Sequence, residues 1–313
     1  MPTMIRPPAA PPGSTVAVVA TSSPVSSDDL GRLVGYLHSR GYEVHTYPSC
    51  RAATGYLAGP AEQRAADLNA AFTDPDVRLI VPATGGKGAA QLLPLLDYDT
   101  IAANPTILTG MSDPSILLNA IHARTGLLAL HGPSGYDFFQ RPVHDDTATA
   151  FFDAITGSLA GREVPGEDWR IARGAGTTVR GPVVGGHLGT IRALVGTNYL
   201  PDLDGTILIL EEVFVSWVDI DTALIHLRLA GVFDRIAALV VGVPVDTTQG
   251  DAPDQTWDDL ILRCVGGTFP VITNVEFGHT PRKIPLPIGG VIELQLDDNS
   301  PVLRYRDDLI EAR

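Results

Sequence analysis

The chain has 313 residues, enough for one large domain or two ordinary ones, each with a full core. Hydrophobic residues make up 44% and charged residues 19%, a globular balance that excludes wholesale disorder. A formal net charge of −14 sets the surface against nucleic acid and anionic membranes, whose phosphates it would repel, and says little about a small substrate.

The chain begins MPTMIRPPAAPPGS, and Pro7, Pro8, Pro11 and Pro12 interrupt any signal-peptide helix. Nowhere does an apolar run reach the length that spans a bilayer, so the expected location is the cytoplasm. Cys50 and Cys264 lie far apart and form no metal-type cluster; two free thiols are expected in a reducing compartment, with one long-range disulfide as the alternative.

TVAVVATS at 15–22 reads as a buried strand, and 27–40 as a helix opened by Ser27, Asp28 and Asp29 and closed by Gly41. YEVHTYP follows as a strand, then an Ala-rich helix at 60–72, the strand VRLIVPA at 77–83 and a short helix GAAQLLPLLD. PTILTG at 105–110 is a fourth strand, PSILLNAIHART a helix and LLALHGP another strand. This alternation predicts a parallel sheet with helices on both faces, a Rossmann-like α/β domain over residues 1–165. From 151 to 177 the periodicity weakens, and 166–180 reads as a linker or a loop over the active site. The rest, 181–313, is richer in strands: VRGPVVGGHL, GTILILEEV, IAALVVGVPV, PVITNVEF, VIELQLDD and VLRYR, with helices at 219–230 and 257–265. It is expected to form a smaller β-rich domain.

Four segments carry residues with chemical potential. GMSDPS at 110–115 puts Ser112 between a buried strand and an apolar helix, where the next backbone N–H points from a helix N-terminus at any developing oxyanion. Pro114 suits the first turn of that helix. Taken alone, the hexapeptide reads better as a helix cap, since capping serines far outnumber nucleophiles. ATGGKGAAQLL at 83–93 is a Gly-rich turn after another strand; it lacks the spacing of a P-loop or a dinucleotide motif, but its N–H groups suit an anionic centre. GTILILEEV ends a buried strand on Glu211 and Glu212, of which one is expected to be simply solvated. His279 follows Gly278 in the Pro-rich stretch EFGHTPRKIPLPIGG, and taken alone it is a surface histidine. The other seven histidines show no metal-ligand spacing, so neither a metal nor a cofactor is expected.

The order of these segments resembles the LD-carboxypeptidase family. QLLPLLDYDTIAANPTILTGMSDPSILLNAIHARTGLLALHGP is similar to its N-terminal half, PDLDGTILILEEV with IDTALIHLRLAGVFDRIAALVVG to its central block, and FGH…PLPIGG to its last motif. The match runs from about residue 16 to 296. The resemblance implies a serine peptidase with Ser112 as nucleophile, Glu211 as the acid that orients the base, His279 as base, and the N–H groups of Gly86 and Asp113 as oxyanion hole. It also implies a site between the two domains and a homodimer.

Two branches of the family differ in substrate. One trims D-Ala from murein tetrapeptides; the other resembles the microcin C immunity peptidase, which cuts an amino acid from a modified nucleotide. Murein-type members usually carry Arg before the Gly-Gly turn and Tyr after it, where this chain has Thr84 and Lys87. His187 stands where both branches typically have Asn, a residue that helps hold substrate, which makes His187 a candidate substrate-binding residue; Val215 stands where murein-type members often have Glu and immunity-type members Lys. Thr84, with Trp169 as a ring that could stack on a base, leans toward the immunity branch; a lone loop aromatic is otherwise a hydrophobic plug. The expected substrate is a small peptide or aminoacyl-nucleotide. The rival readings are a murein LD-carboxypeptidase, a binding protein that lost hydrolysis, and a β-rich regulatory module that leaves Ser112 and His279 far apart.

Overall fold

The computed structural model describes residues 3–140, 143–250, 254–297 and 301–311. The first half alternates as expected: β1 (Thr15–Val19), α1 (Ser27–Ser39), β2 (Glu43–Thr46), α2 (Ala61–Thr73), β3 (Val77–Pro82), α3 (Tyr98–Ala103), β4 (Ile107–Gly110), α4 (Ser115–Thr125) and β5 (Ala129–His131). Two further helices, α5 (Gly135–Gln140) and α6 (Asp145–Thr156), lead to β6 (Glu163–Pro165), β7 (Arg170–Arg173), β8 (Thr178–His187) and α7 (Leu188–Leu194). The remainder runs β9 (Ile207–Glu211), α8 (Trp217–Leu229), β10 (Ala238–Gly242), α9 (Trp257–Val265), β11 (Val271–Val275), β12 (Leu286–Ile288), β13 (Val291–Gln295) and β14 (Val302–Tyr305).

Among the described residues the strands join in one sheet. Its main path is β2-β1-β3-β4-β5-β12-β8-β9-β10-β11-β7, with β13 branching from β8 to β14 and β6. β1 to β5 pair in parallel, as do β8 to β11. The seam is β12, antiparallel to β5 and parallel to β8, which welds the two halves edge to edge. Buried on both faces, the inner parallel strands read as apolar runs, such as ILIL before Glu211 in β9 and ALVVG in β10. The end of β8 meets the turn after β4, where the His187 N–H reaches the Ser115 hydroxyl at 3.5 Å, and strand ends of this kind are where an α/β sheet receives ligands.

Three expectations change. The segment GAAQLLPLLD is a 3-10 helix over Ala89–Leu95, because Pro94 inside it cannot donate to an α-helical ladder. The stretch 166–180, read as a linker or active-site loop, contains β7 and the start of β8; β7 forms the sheet edge against β11. The helix α6, which runs into the region of weak pattern, is an addition to the expected elements; Asp145 and Asp146 occupy its first turn and Ala148, Phe151 and Ile155 its buried face. Asp298, last of the VIELQLDD run, lies outside the described residues.

Candidate active site

The turn from β4 into α4 is strained. Gly110 has φ 151° and Ser112 φ 60°, a left-handed backbone that a serine adopts only where its surroundings enforce it. Ser115 N–H closes the turn on the Ser112 carbonyl at 2.9 Å. The Gly-rich turn after β3 lies directly against it: a Cβ on Gly85 would fall 2.9 Å from Ser112 Cβ and 3.0 Å from Oγ. Gly86, at φ 110°, leaves no room for a side chain either, because Ser23 Oγ occupies that space. Among the described residues, the backbone N–H groups of Gly86 and Asp113 donate to no protein acceptor.

Asp113 turns its side chain away from that turn. Its Oδ2 accepts the Ala89 N–H at 2.8 Å, tying the two turns together. Burial raises the Asp113 carboxyl above the usual range, against the opposing effects of the Ala89 and Ser22 hydrogen bonds.

Across the seam, β8 and β9 place His187 and Glu211 as register partners. Glu211 Oε2 meets His279 Nδ1 at 2.6 Å. The carboxylate is almost wholly buried and His279 partly so. Burial works to raise Glu211, but the facing His279 outweighs it and holds the carboxyl below its ordinary value. Two glycines make room for the pair. A Cβ on Gly278 would fall 2.4 Å from Glu211 Cγ and 2.6 Å from Oε2, and one on Gly242 2.9 Å from Glu211 Cβ.

Glu212 is not the solvated strand end that was expected. Its Oε1 lies 2.7 Å from His187 Nε2, and its Oε2 accepts the Gly189 N–H at 3.2 Å, at the start of α7. The His187 and His279 rings meet edge to face, 6.0 Å between centroids. Burial works to lower His187, but its hydrogen bond to Glu212 and the nearby Glu211 raise it. Two carboxylate–imidazole pairs thus stand side by side. Adjacent glutamates at a buried strand end were the available signal for the second one.

The loop that carries His279 is anchored below the site. Lys283 is buried, and its Nζ pairs with Asp137 Oδ1 of α5 at 3.1 Å while donating to the Thr280 carbonyl. Nothing in the sequence pattern around Lys283 announced this role.

Trp169 takes the alternative role. It is 7% exposed, belongs to the apolar core and packs over Gly166, where a Cβ would sit 2.3 Å from its ring. It is a plug just before β7, covered rather than offered to a ligand as a stacking surface. Val215 also packs against the core. Among the described residues no group of three or more His, Cys, Asp or Glu side chains is placed to hold a metal ion.

Comparison with known proteins bears on the same site. Family models for the LD-carboxypeptidase N-terminal and C-terminal domains match residues 16–132 and 180–294. The chain is 34% identical to the murein tetrapeptide carboxypeptidase of Pseudomonas aeruginosa, over 90% of this chain and 92% of that one. It is 28% identical to the microcin C7 self-immunity protein MccF of Escherichia coli, over 92% of each. Its fold superposes on MccF in complex with aspartyl sulfamoyl adenosine with a TM-score of 0.89 and 25% identity, covering 98% of this chain and 100% of that one.

Proposed function

The chain belongs to the LD-carboxypeptidase family of serine peptidases, and from that premise we propose that Ser112, His279 and Glu211 hydrolyse an amide bond of a small aminoacyl compound through an acyl-enzyme. The observation that carries this reading is the 2.6 Å contact between His279 Nδ1 and Glu211 Oε2. It fixes the tautomer: Nδ1 carries the proton toward the carboxylate, and Nε2 is left to act as base.

In the proposed sequence His279 Nε2 takes the Ser112 Oγ proton as Oγ attacks the substrate carbonyl. The charge on the carbonyl oxygen is received by the N–H groups of Gly86 and Asp113, which have no other protein acceptor among the described residues. His279 then gives the proton to the leaving amine, the acyl group stays on Ser112, and a water activated by His279 releases it. Glu211 stays ionised throughout and stabilises the imidazolium.

For the substrate, we favour an amino acid joined to a nucleotide-like leaving group over a murein tetrapeptide. The basis is the pocket's composition. Thr84 and Lys87 replace the Arg and Tyr usual in murein-type members, His187 is neutralised by Glu212, and Val215 brings no charge to the strand end. A missing charge-assisted hydrogen bond to a peptide's terminal group costs about 1.5–3 kcal/mol, roughly ten- to a hundredfold in binding. The relative MccF is known in complex with aspartyl sulfamoyl adenosine. A murein LD-carboxypeptidase is the second reading, favoured by the 34% identity to the Pseudomonas enzyme. The test is the ratio of kcat/KM for aspartyl sulfamoyl adenosine to that for a murein tetrapeptide. A ratio above one supports our reading; a murein peptide that wins by about tenfold, or 1.4 kcal/mol of transition-state binding, hands the site to the second.

A further inference from the structure

One buried histidine at the heart of the sheet has no part in the chemistry above. His131 ends β5 with no exposed surface, in register with Gly110 of β4, two residues before Ser112. Its ring packs edge to face on Phe277, two residues before His279, with 5.7 Å between centroids. A Cβ on Gly186 would fall 3.0 Å from its Cδ2, and Gly186 pairs with Leu210, the residue before Glu211. A single imidazole is therefore wedged among the segments that carry Ser112, His187, Glu211 and His279.

Burial holds this ring neutral, pulling its pKa down to about 4, against the opposing pull of the Glu211 carboxylate. A neutral imidazole always presents one N–H and one lone pair. Among the described residues neither ring nitrogen has a hydrogen-bond partner, and Glu211 Oε1, the oxygen not used by His279, has none either. Native interiors rarely leave a donor and an acceptor unpaired in one buried neighbourhood.

We propose that His131 is a positioning residue for Glu211, its N–H serving Oε1 through one bridging water so that Oε2 stays aimed at His279 Nδ1. A neutral donor suits the task. It fixes the carboxylate in its plane without cancelling the negative charge that must stabilise the imidazolium, as a lysine or arginine in its place would. The inference rests on the reading of Glu211 and His279 as the acid–base pair, and its main test needs no turnover.

The experiment is proton and nitrogen NMR of the histidine-labelled protein, with His131→Leu and His131→Gln beside the wild type. Expected in the wild type are a neutral His131 across the neutral range, with one N–H protected from exchange, and a far-downfield proton shared by His279 and Glu211. In His131→Leu that downfield signal shifts or broadens away; in His131→Gln, which keeps a donor, it returns. Turnover of aspartyl sulfamoyl adenosine should follow, with kcat reduced roughly ten- to a hundredfold in His131→Leu at unchanged KM and largely rescued in His131→Gln. A downfield signal unmoved in His131→Leu overturns the proposal, as does an equal loss of kcat and of stability in both variants, which marks a packing role alone. Should His131→Leu fail to fold, a charged or freely exchanging His131 in the wild type overturns it by itself.

Discussion

Ser112 holds a left-handed φ of 60°, where a side chain costs roughly 1–2 kcal/mol. Replacing it by glycine removes that strain against a smaller cost in unfolded-chain entropy, so Ser112→Gly should be more stable than wild type by up to about 1 kcal/mol. Thermal melts of the two proteins check this, and a lower midpoint for the glycine variant contradicts the strain argument. Gly278 makes the converse case. Its missing Cβ is the space into which the Glu211 carboxylate reaches, with 2.6 Å from the would-be Cβ to Oε2. Gly278→Ala should leave most of the fold intact, push the carboxylate off His279 and lower kcat/KM by about a hundredfold. Activity within a factor of about three of wild type would show that the dyad tolerates displacement.

At the level of elements, the strand–Ser112–helix unit was legible because apolar runs, Gly110 and Pro114 each point to one local structure. The helix α9 was legible to the residue, since Thr256 caps it in a capping box with Asp259 and its apolar face is strongly periodic. The seam strand β12 was not. Three residues long, with Pro287 in its middle, it exists only because β5 and β8 flank it. Of the proposed site, Ser112, Glu211 and His279 were visible only through the resemblance of three motifs, in their order along the chain, to a known family, whereas Glu212, His131 and Lys283 depend on tertiary neighbours that no local pattern encodes. The Lys283–Asp137 pair gives this scale its prediction. Removing one partner of a buried ion pair strands the other, so Lys283→Met should cost about 3–5 kcal/mol. It should also lower kcat, because the Thr280 carbonyl next to His279 loses its donor. Urea titration of Lys283→Met and of the double variant Lys283→Met/Asp137→Leu checks this; the double variant should regain part of the loss, and equal stability of all three proteins contradicts it.

For the whole molecule, His131, His187 and Glu211 each contribute to the pH dependence of stability. His131 is depressed by burial to about 4, so its contribution is complete above about pH 6.5 and drains away as pH falls toward 4. His187 is raised, against its burial, by Glu212 and Glu211; its contribution is complete below about pH 6.5 and is lost as pH rises through its folded value. Glu211 is depressed, burial notwithstanding, by His279, and it adds a loss as pH falls below about 4.3 through its own folded value. The thermal midpoint should therefore peak near pH 6.5 and fall on both sides, and Glu212→Gln should flatten the alkaline limb; a midpoint that climbs steadily into the alkaline range contradicts these assignments. At this scale we also propose a homodimer, which a single mass of 33.2 kDa by light scattering at every concentration would refute. No helix among the described residues is long and apolar enough to cross a membrane. The central claim is that Ser112 is the nucleophile of a hydrolase, and it is tested most directly by kcat/KM of Ser112→Ala beside wild type on aspartyl sulfamoyl adenosine and a murein tetrapeptide. The account predicts that wild type cleaves at least one of the two and that Ser112→Ala, folded as well as wild type, is slower by roughly three orders of magnitude or more; cleavage of neither by wild type, or undiminished cleavage by Ser112→Ala, would contradict it.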